Sequence, residues 1–233
     1  MRFVARDYAS VLNSSSGGRL RVFCFTVLEN HEWILPTDPS VYELLFSLSG
    51  VVGPGWVSLS MEFLHESDDG ARRLRSDFPW LGEHAPILRP RAVSALQETL
   101  AAHGELLPLN APEPVSLFNA TRIVDALDPS RSQIVRFEDG DILNIERFFF
   151  DPVAIGQLEM FRLPMRSSPV FVTEAFVSRI AAAGLEGVAF RLLWSDEPET
   201  TEETLSFPSH AEPDDRWRPN WIAALLRALR RRA

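Results

Sequence analysis

Between Gly104 and Phe150, four short apolar-rich runs follow one another with no helical pattern between them: Glu105–Leu109, Val115–Val124, Gln133–Phe137 and Ile142–Phe150. Parallel strands need a long crossover, usually a helix, so strands this closely spaced predict antiparallel pairing in a meander. The last two runs flank Glu138-Asp139-Gly140-Asp141, and Asp-Gly between apolar runs is a strong hairpin signal. The fold class this predicts is α+β. A mainly antiparallel sheet of several short strands would be packed by a few helices and a C-terminal amphipathic helix.

Further strands are expected at Arg19–Leu28, Trp56–Leu64, Glu159–Leu163, Val170–Val172 and Gly187–Trp194. In Trp56–Leu64 the alternation puts Val57, Leu59, Met61 and Phe63 on one face and Ser58, Ser60 and Glu62 on the other. Gly187–Trp194 is almost wholly apolar, as a strand buried on both faces would be, and Trp194 belongs to the core. Helices are expected over Pro39–Leu48, with Val41, Leu44, Leu45 and Leu48 on one face, and over Arg91–His103. The second has Pro90 at its start, Gly104 past its end, and a stripe of Val93, Leu96 and Leu100. A third runs over Glu174–Ala183. Thr173 caps it, Gly184 ends it, and Phe176, Val177 and Ile180 pack it on the sheet. The first 18 residues read as a lead-in or loop.

Charge narrows the function. There are 32 acidic and 23 basic residues, for a net charge of −9, and every basic residue is arginine. Without lysine there is no lysine Schiff base and no Walker-type phosphate loop. The negative balance argues against general nucleic-acid binding, which needs a basic face, and suits a basic protein partner. Ser195–Asp215 holds eight acidic residues and no arginine, whereas Arg216–Ala233 holds six arginines and no acid. Pro219–Arg232 reads as an amphipathic helix through Trp221, Ile222, Leu225, Leu226 and Leu229. The organisation this gives is an N-terminal α+β portion at 1–85, a core at 86–194, an acidic loop at 195–215 and a basic helix at 216–233.

Little of the sequence spells catalysis. Cys24 is the single cysteine, in an apolar run, and reads as a core residue. The five histidines are too far apart for a local zinc pattern, and no G-x-S-x-G elbow occurs. His103 is expected at a helix C-terminus, where an imidazolium meets the negative end of the dipole. Asp125 and Asp128 are open to two readings. Two carboxylates three apart suit a metal or acid/base pair, and Asp128 before Pro129 equally suits a tight turn. Asp139 and Asp141 read as hairpin residues. Trp217, beside the acidic segment, is either a contact residue or an anchor for the terminal helix. No apolar run reaches the roughly 18 residues of a membrane span, and the N-terminus lacks the apolar core of a signal peptide.

An ordered set of segments adds a family likeness. These are Pro86-Ile87-Leu88, Gly104-Glu105-Leu106-Leu107-Pro108-Leu109, Val124-Asp125-Ala126-Leu127-Asp128 with Ser132, and Phe148-Phe149-Phe150. Then come Met160-Phe161-Arg162-Leu163, Val170-Phe171-Val172-Thr173-Glu174-Ala175-Phe176 and Gly184-Leu185-Glu186-Gly187-Val188-Ala189-Phe190. Taken together, residues 86–194 resemble a bacterial immunity-protein family of polymorphic toxin systems, of the myxobacterial type. The resemblance implies a cytoplasmic antidote that binds a cognate toxin encoded beside it. It implies no catalysis, metal, cofactor, nucleic acid or membrane. The expected mechanism is occlusion of a basic toxin site, such as that of a nuclease. Asp125, Asp128, Asp196, Glu197, Glu199, Glu202, Glu203 and Trp217 are the expected partner contacts. The alternative is a non-enzymatic adaptor of a toxin or secretion locus. A third reading, an enzyme, requires Asp125, Asp128 and a histidine to converge in a pocket.

Overall fold

The computed structural model describes residues 2–4, 19–67 and 69–196. Glu197, Glu199, Glu202, Glu203, Trp217 and the expected basic helix lie outside the described residues. The strands are β1 Arg2–Val4, β2 Arg21–Thr26, β3 Trp33–Pro36, β4 Met61–Leu64, β5 Ile87–Leu88, β6 Gly104–Pro108, β7 Ser116–Ala120, β8 Gln133–Arg136, β9 Ile142–Arg147, β10 Met160–Phe161, β11 Phe171–Thr173 and β12 Ala189–Ser195. The α-helices are α1 Tyr42–Ser47, α2 Pro90–Ala95, α3 Gln97–His103, α4 Pro152–Ile155 and α5 Glu174–Ala182. The class is α+β, and the strand pairs are antiparallel.

A five-stranded sheet in the order β1-β12-β2-β11-β10 organises the molecule. The meander expected over Glu105–Phe150 is split between two other sheets, β6 pairing with β7 and β8 with β9. Local hairpins do occur at β6–β7, β8–β9 and β10–β11, but β2 enters between β11 and β12, strands far along the chain. Burial explains the insertion. Val22, Phe23, Cys24 and Phe25 are all buried, so this segment needs cover on both faces. Phe23 and Phe25 pack with Met160, Val172 and Phe190 beneath Phe176, Val177 and Ile180 of α5. Val22 packs on the other face with Phe161, Phe171, Ala126, Ile145 and Phe150. Residues 2–4, expected within a lead-in, form a strand paired with β12.

The three-stranded sheet β5-β7-β6 is a partition between cores. Successive residues of a strand face opposite ways. Phe118 and Leu88 accordingly join the core under α5, while Leu117 and Ile87 join a second core with Ile34, Leu45, Met61 and Leu107.

Several local expectations need correction. Arg91–His103 is two helices meeting at Leu96, whose φ of −114° and ψ of 11° break the regular turn. The break keeps Ala92, Leu96 and Leu100 against one core. Gly104 lies just past the helix end, as expected. Its φ is −179°, and it starts β6 directly. Thr173 makes no capping hydrogen bond; its backbone N–H donates to the carbonyl of Glu159 at 2.9 Å, which ties it to the sheet. Only Met61–Leu64 of the expected strand 56–64 forms a strand. Val57 is 77% exposed, because the indole N–H of Trp56 is fixed to the Pro108 carbonyl at 2.8 Å and the following chain runs as a loop. Leu44 is exposed, since Pro39–Val41 is a 3-10 turn and the helical face begins only at Tyr42. Trp194 is half-buried at the rim of its core, edge-on to Phe150.

Candidate partner-binding surface

The segment carrying Asp125 and Asp128 is stitched at both sides. The Val124 N–H donates to the Arg162 carbonyl at 2.8 Å, the Asp151 N–H to Ala126 at 2.8 Å, and the Asp128 N–H to Phe149 at 2.8 Å. Ala126 is fully buried between the two carboxylates. One Asp128 carboxylate oxygen accepts from the Ser130 hydroxyl at 2.6 Å, the Ser130 N–H at 2.9 Å and the Arg131 N–H at 3.3 Å. These bonds, the Ser130 hydroxyl foremost, hold its carboxyl below the ordinary aspartate value. The hydroxyl of Ser132 accepts from the Phe149 N–H at 3.0 Å. Among the two readings left open by the sequence, the structure favours the turn for Asp128. Asp125 is exposed, with no hydrogen bond or ion pair to a described residue.

From this knot rises the β8–β9 hairpin. At its base the Phe149 ring lies under two guanidiniums, Arg131 at 4.4 Å and Arg147 at 4.9 Å. At its far end Glu138, Asp139 and Asp141 surround Gly140, which has a φ of 93°. The Asp139 carboxylate accepts from the Asp141 N–H at 3.1 Å, and Phe137 pairs its N–H with the Asp141 carbonyl at 2.8 Å. The register slips by one between Val135 and Arg136, placing the extra residue at Leu143. Phe137 and Leu143 are each 53% exposed.

Several buried polar groups tie segments together or sit packed against rings, although His84 Nε2 and Arg162 Nε have no hydrogen-bond partner among the described residues. Arg162 donates to the carbonyls of Leu48 at 2.8 Å and His84 at 2.7 Å, and burial lowers its pKa to about 10. His84 is buried against the Phe46 ring at 4.6 Å; desolvation first, and the Arg162 charge second, lower its pKa to about 4. Burial, with Glu83 beside it, pushes the Cys24 thiol up to about 12, so it is an inert core group at neutral pH. His103 ends its helix, as expected. Its Nε2 accepts the Glu159 N–H at 3.0 Å, and Nδ1 lies 2.8 Å from the Thr99 carbonyl.

A cavity of about 20 Å³ lies among Phe25, His31, Glu32, Phe78, Trp80 and Val188. That volume suits a single water rather than an organic substrate. Asp125 and Asp128 do not line it. No group of three or more His, Cys, Asp or Glu side chains among the described residues is arranged to hold a metal ion, and no described helix is long and apolar enough to cross a membrane.

Of the expected contact residues, Asp125 is exposed, Asp128 is half-buried in its turn, and Asp196 is exposed with its N–H bonded to the Leu20 carbonyl at 3.1 Å. Sequence reasoning missed the outward Phe137 and Leu143. The available signal was Phe137 directly before a three-carboxylate turn.

These features define an α+β protein with an internally bonded turn at Asp128 and an exposed β8–β9 hairpin. Residues 110–193 match the family model of the Immunity protein family (Imm11). The match spans β7 to β12 and contains the Asp125–Ser132 knot, the hairpin and the Arg162 cross-link. No curated protein matches the chain.

Proposed function

We propose that this protein is an immunity protein that binds a cognate toxin and neutralises it by covering its active or substrate-binding surface. The observation that carries this reading is the match of residues 110–193 to an immunity family. The internal chemistry supports it. Asp128, Ser132, Arg162 and His103 each hydrogen-bond backbone groups of neighbouring segments. The protein acts without catalysis, metal or cofactor, in the cytoplasm, on a toxin encoded by a neighbouring gene. That toxin carries a basic site, as a nuclease does. Asp125 and the acidic residues Asp196, Glu197, Glu199, Glu202 and Glu203 attract it, Trp217 adds an aromatic contact, and Asp128 sets the turn beside Asp125. Complementary charge speeds capture and selects the partner.

Co-expression with the product of the neighbouring gene tests this reading. Restored growth and a co-purifying complex are expected. A complex without protection would favour an adaptor instead, and neither complex nor protection would refute the reading.

A further inference from the structure

The β8–β9 hairpin is one of two isolated two-stranded sheets among the described residues, the other being β3–β4. Its strands pair only with each other, and β8 and β9 join no other sheet among the described residues. One side is anchored, with Ile145 buried and Ile134 and Ile142 packed against the same core as Phe150 and Phe171. The other side leaves Phe137 and Leu143 half in water. Two large apolar side chains left exposed on one short hairpin are an interface signature rather than a solvation one. The β-bulge nearer the tip contributes, since it leaves Leu143 without a partner across the ladder, as a second bulge leaves Glu146.

The charge around these two side chains selects an occupant. Glu138, Asp139 and Asp141 face a single arginine at the tip, Arg136, whose guanidinium donates to the Gly140 carbonyl at 2.8 Å. The tip therefore presents net negative charge around an apolar pair. The loop bearing Val51 and Val57 is also apolar and exposed. It carries no charge between Gly50 and Ser58, so nothing about it selects a partner.

We propose that the β8–β9 hairpin docks into a protein cleft with an apolar floor and a basic rim, Phe137 and Leu143 entering the floor and the Glu138, Asp139 and Asp141 carboxylates meeting the rim. This rests on the immunity reading and assigns the contact surface within it. A cleft of that chemistry is one that handles an anionic substrate, and a hairpin seated in it blocks access.

The test uses the full chain and the purified product of the neighbouring gene. Two variants are compared with the wild type: Phe137→Ala with Leu143→Ala, and Glu138→Gln with Asp141→Asn. These four side chains are exposed, and urea unfolding checks that each variant is folded. The apolar variant is expected to weaken binding about thirtyfold or more, as loss of a central aromatic anchor does. The charge variant is expected to slow association and flatten its salt dependence. Wild-type binding with both variants unchanged would overturn the hairpin and leave the immunity reading standing. No wild-type binding would overturn both. A wild-type dimer that the apolar variant turns into a monomer, with partner binding unchanged, would make the hairpin a self-association surface and also overturn the proposal.

Discussion

Glu32 and Arg89 stand 57 positions apart and meet inside the protein, one Glu32 carboxylate oxygen accepting from Arg89 Nε at 3.1 Å and Nη2 at 2.6 Å. Their side chains are only 3% and 4% exposed. Each has further partners. Glu32 accepts the Ser76 N–H at 3.0 Å, and Arg89 reaches Glu113 at 2.6 Å and lies 4.6 Å over the Phe63 ring. The pair ties the segment before β3 to the start of α2.

Breaking that pair leaves a buried charge uncompensated. Arg89→Met is predicted to cost about 3–5 kcal/mol in urea unfolding. Adding Glu32→Leu to the same chain should recover part of the loss, because no lone carboxylate then remains inside. A single variant as stable as the wild type would contradict this account of the network.

Gly104 matters for space rather than for backbone freedom. A Cβ built there would collide with the backbone oxygen of Asn119 and come within 2.8 Å of the Phe118 ring. Gly104→Ala is predicted to destabilise the protein by about 3 kcal/mol or more, read as a lower urea midpoint. Gly55→Ala, with open space around it, should change little.

How far the sequence reveals these features depends on the range of the forces involved. The Asp139-Gly140 turn is local chemistry, and the hairpin appears where the dipeptide predicts it. The buried faces of α5 and β2 follow from periodicity and composition. The insertion of β2 between β11 and β12, the Glu32–Arg89 pair and the Gly104 contact with Asn119 depend on which distant segments meet, and no local pattern encodes that. His103 shows the limit most clearly. Its place at a helix end is read from the sequence, but the Glu159 N–H that its Nε2 accepts arrives from another element. At the candidate surface, Asp128 before Pro129 was legible as a turn, while the outward aim of Leu143 comes from a bulge that alternation does not announce.

His84 makes stability depend on pH. Its pKa falls from 6.5 to about 4 on folding, so between those values the unfolded chain binds the extra proton. The stability associated with the neutral ring is complete above pH 6.5 and is lost as pH falls toward 4, amounting to about 3 kcal/mol. Urea unfolding at pH 7 and pH 4.5 should show this loss in the wild type and a smaller one in His84→Leu. Equal losses would assign the acid sensitivity to other groups.

Asp125 and Asp128 should separate cleanly. Asp128→Ala removes the acceptor for Ser130 and Arg131 and is predicted to lower the urea midpoint, with Asp128→Asn milder because its carbonyl oxygen still accepts. Asp125→Ala should leave the midpoint unchanged and weaken partner capture. A midpoint that moves with Asp125 and not with Asp128 would reverse these roles.

The most direct measurement is a titration of the purified toxin's activity with this protein. Activity is predicted to fall linearly and vanish at equimolar protein, with the endpoint holding at low salt and loosening as salt rises. Full toxin activity in the presence of excess folded protein would contradict neutralisation by binding.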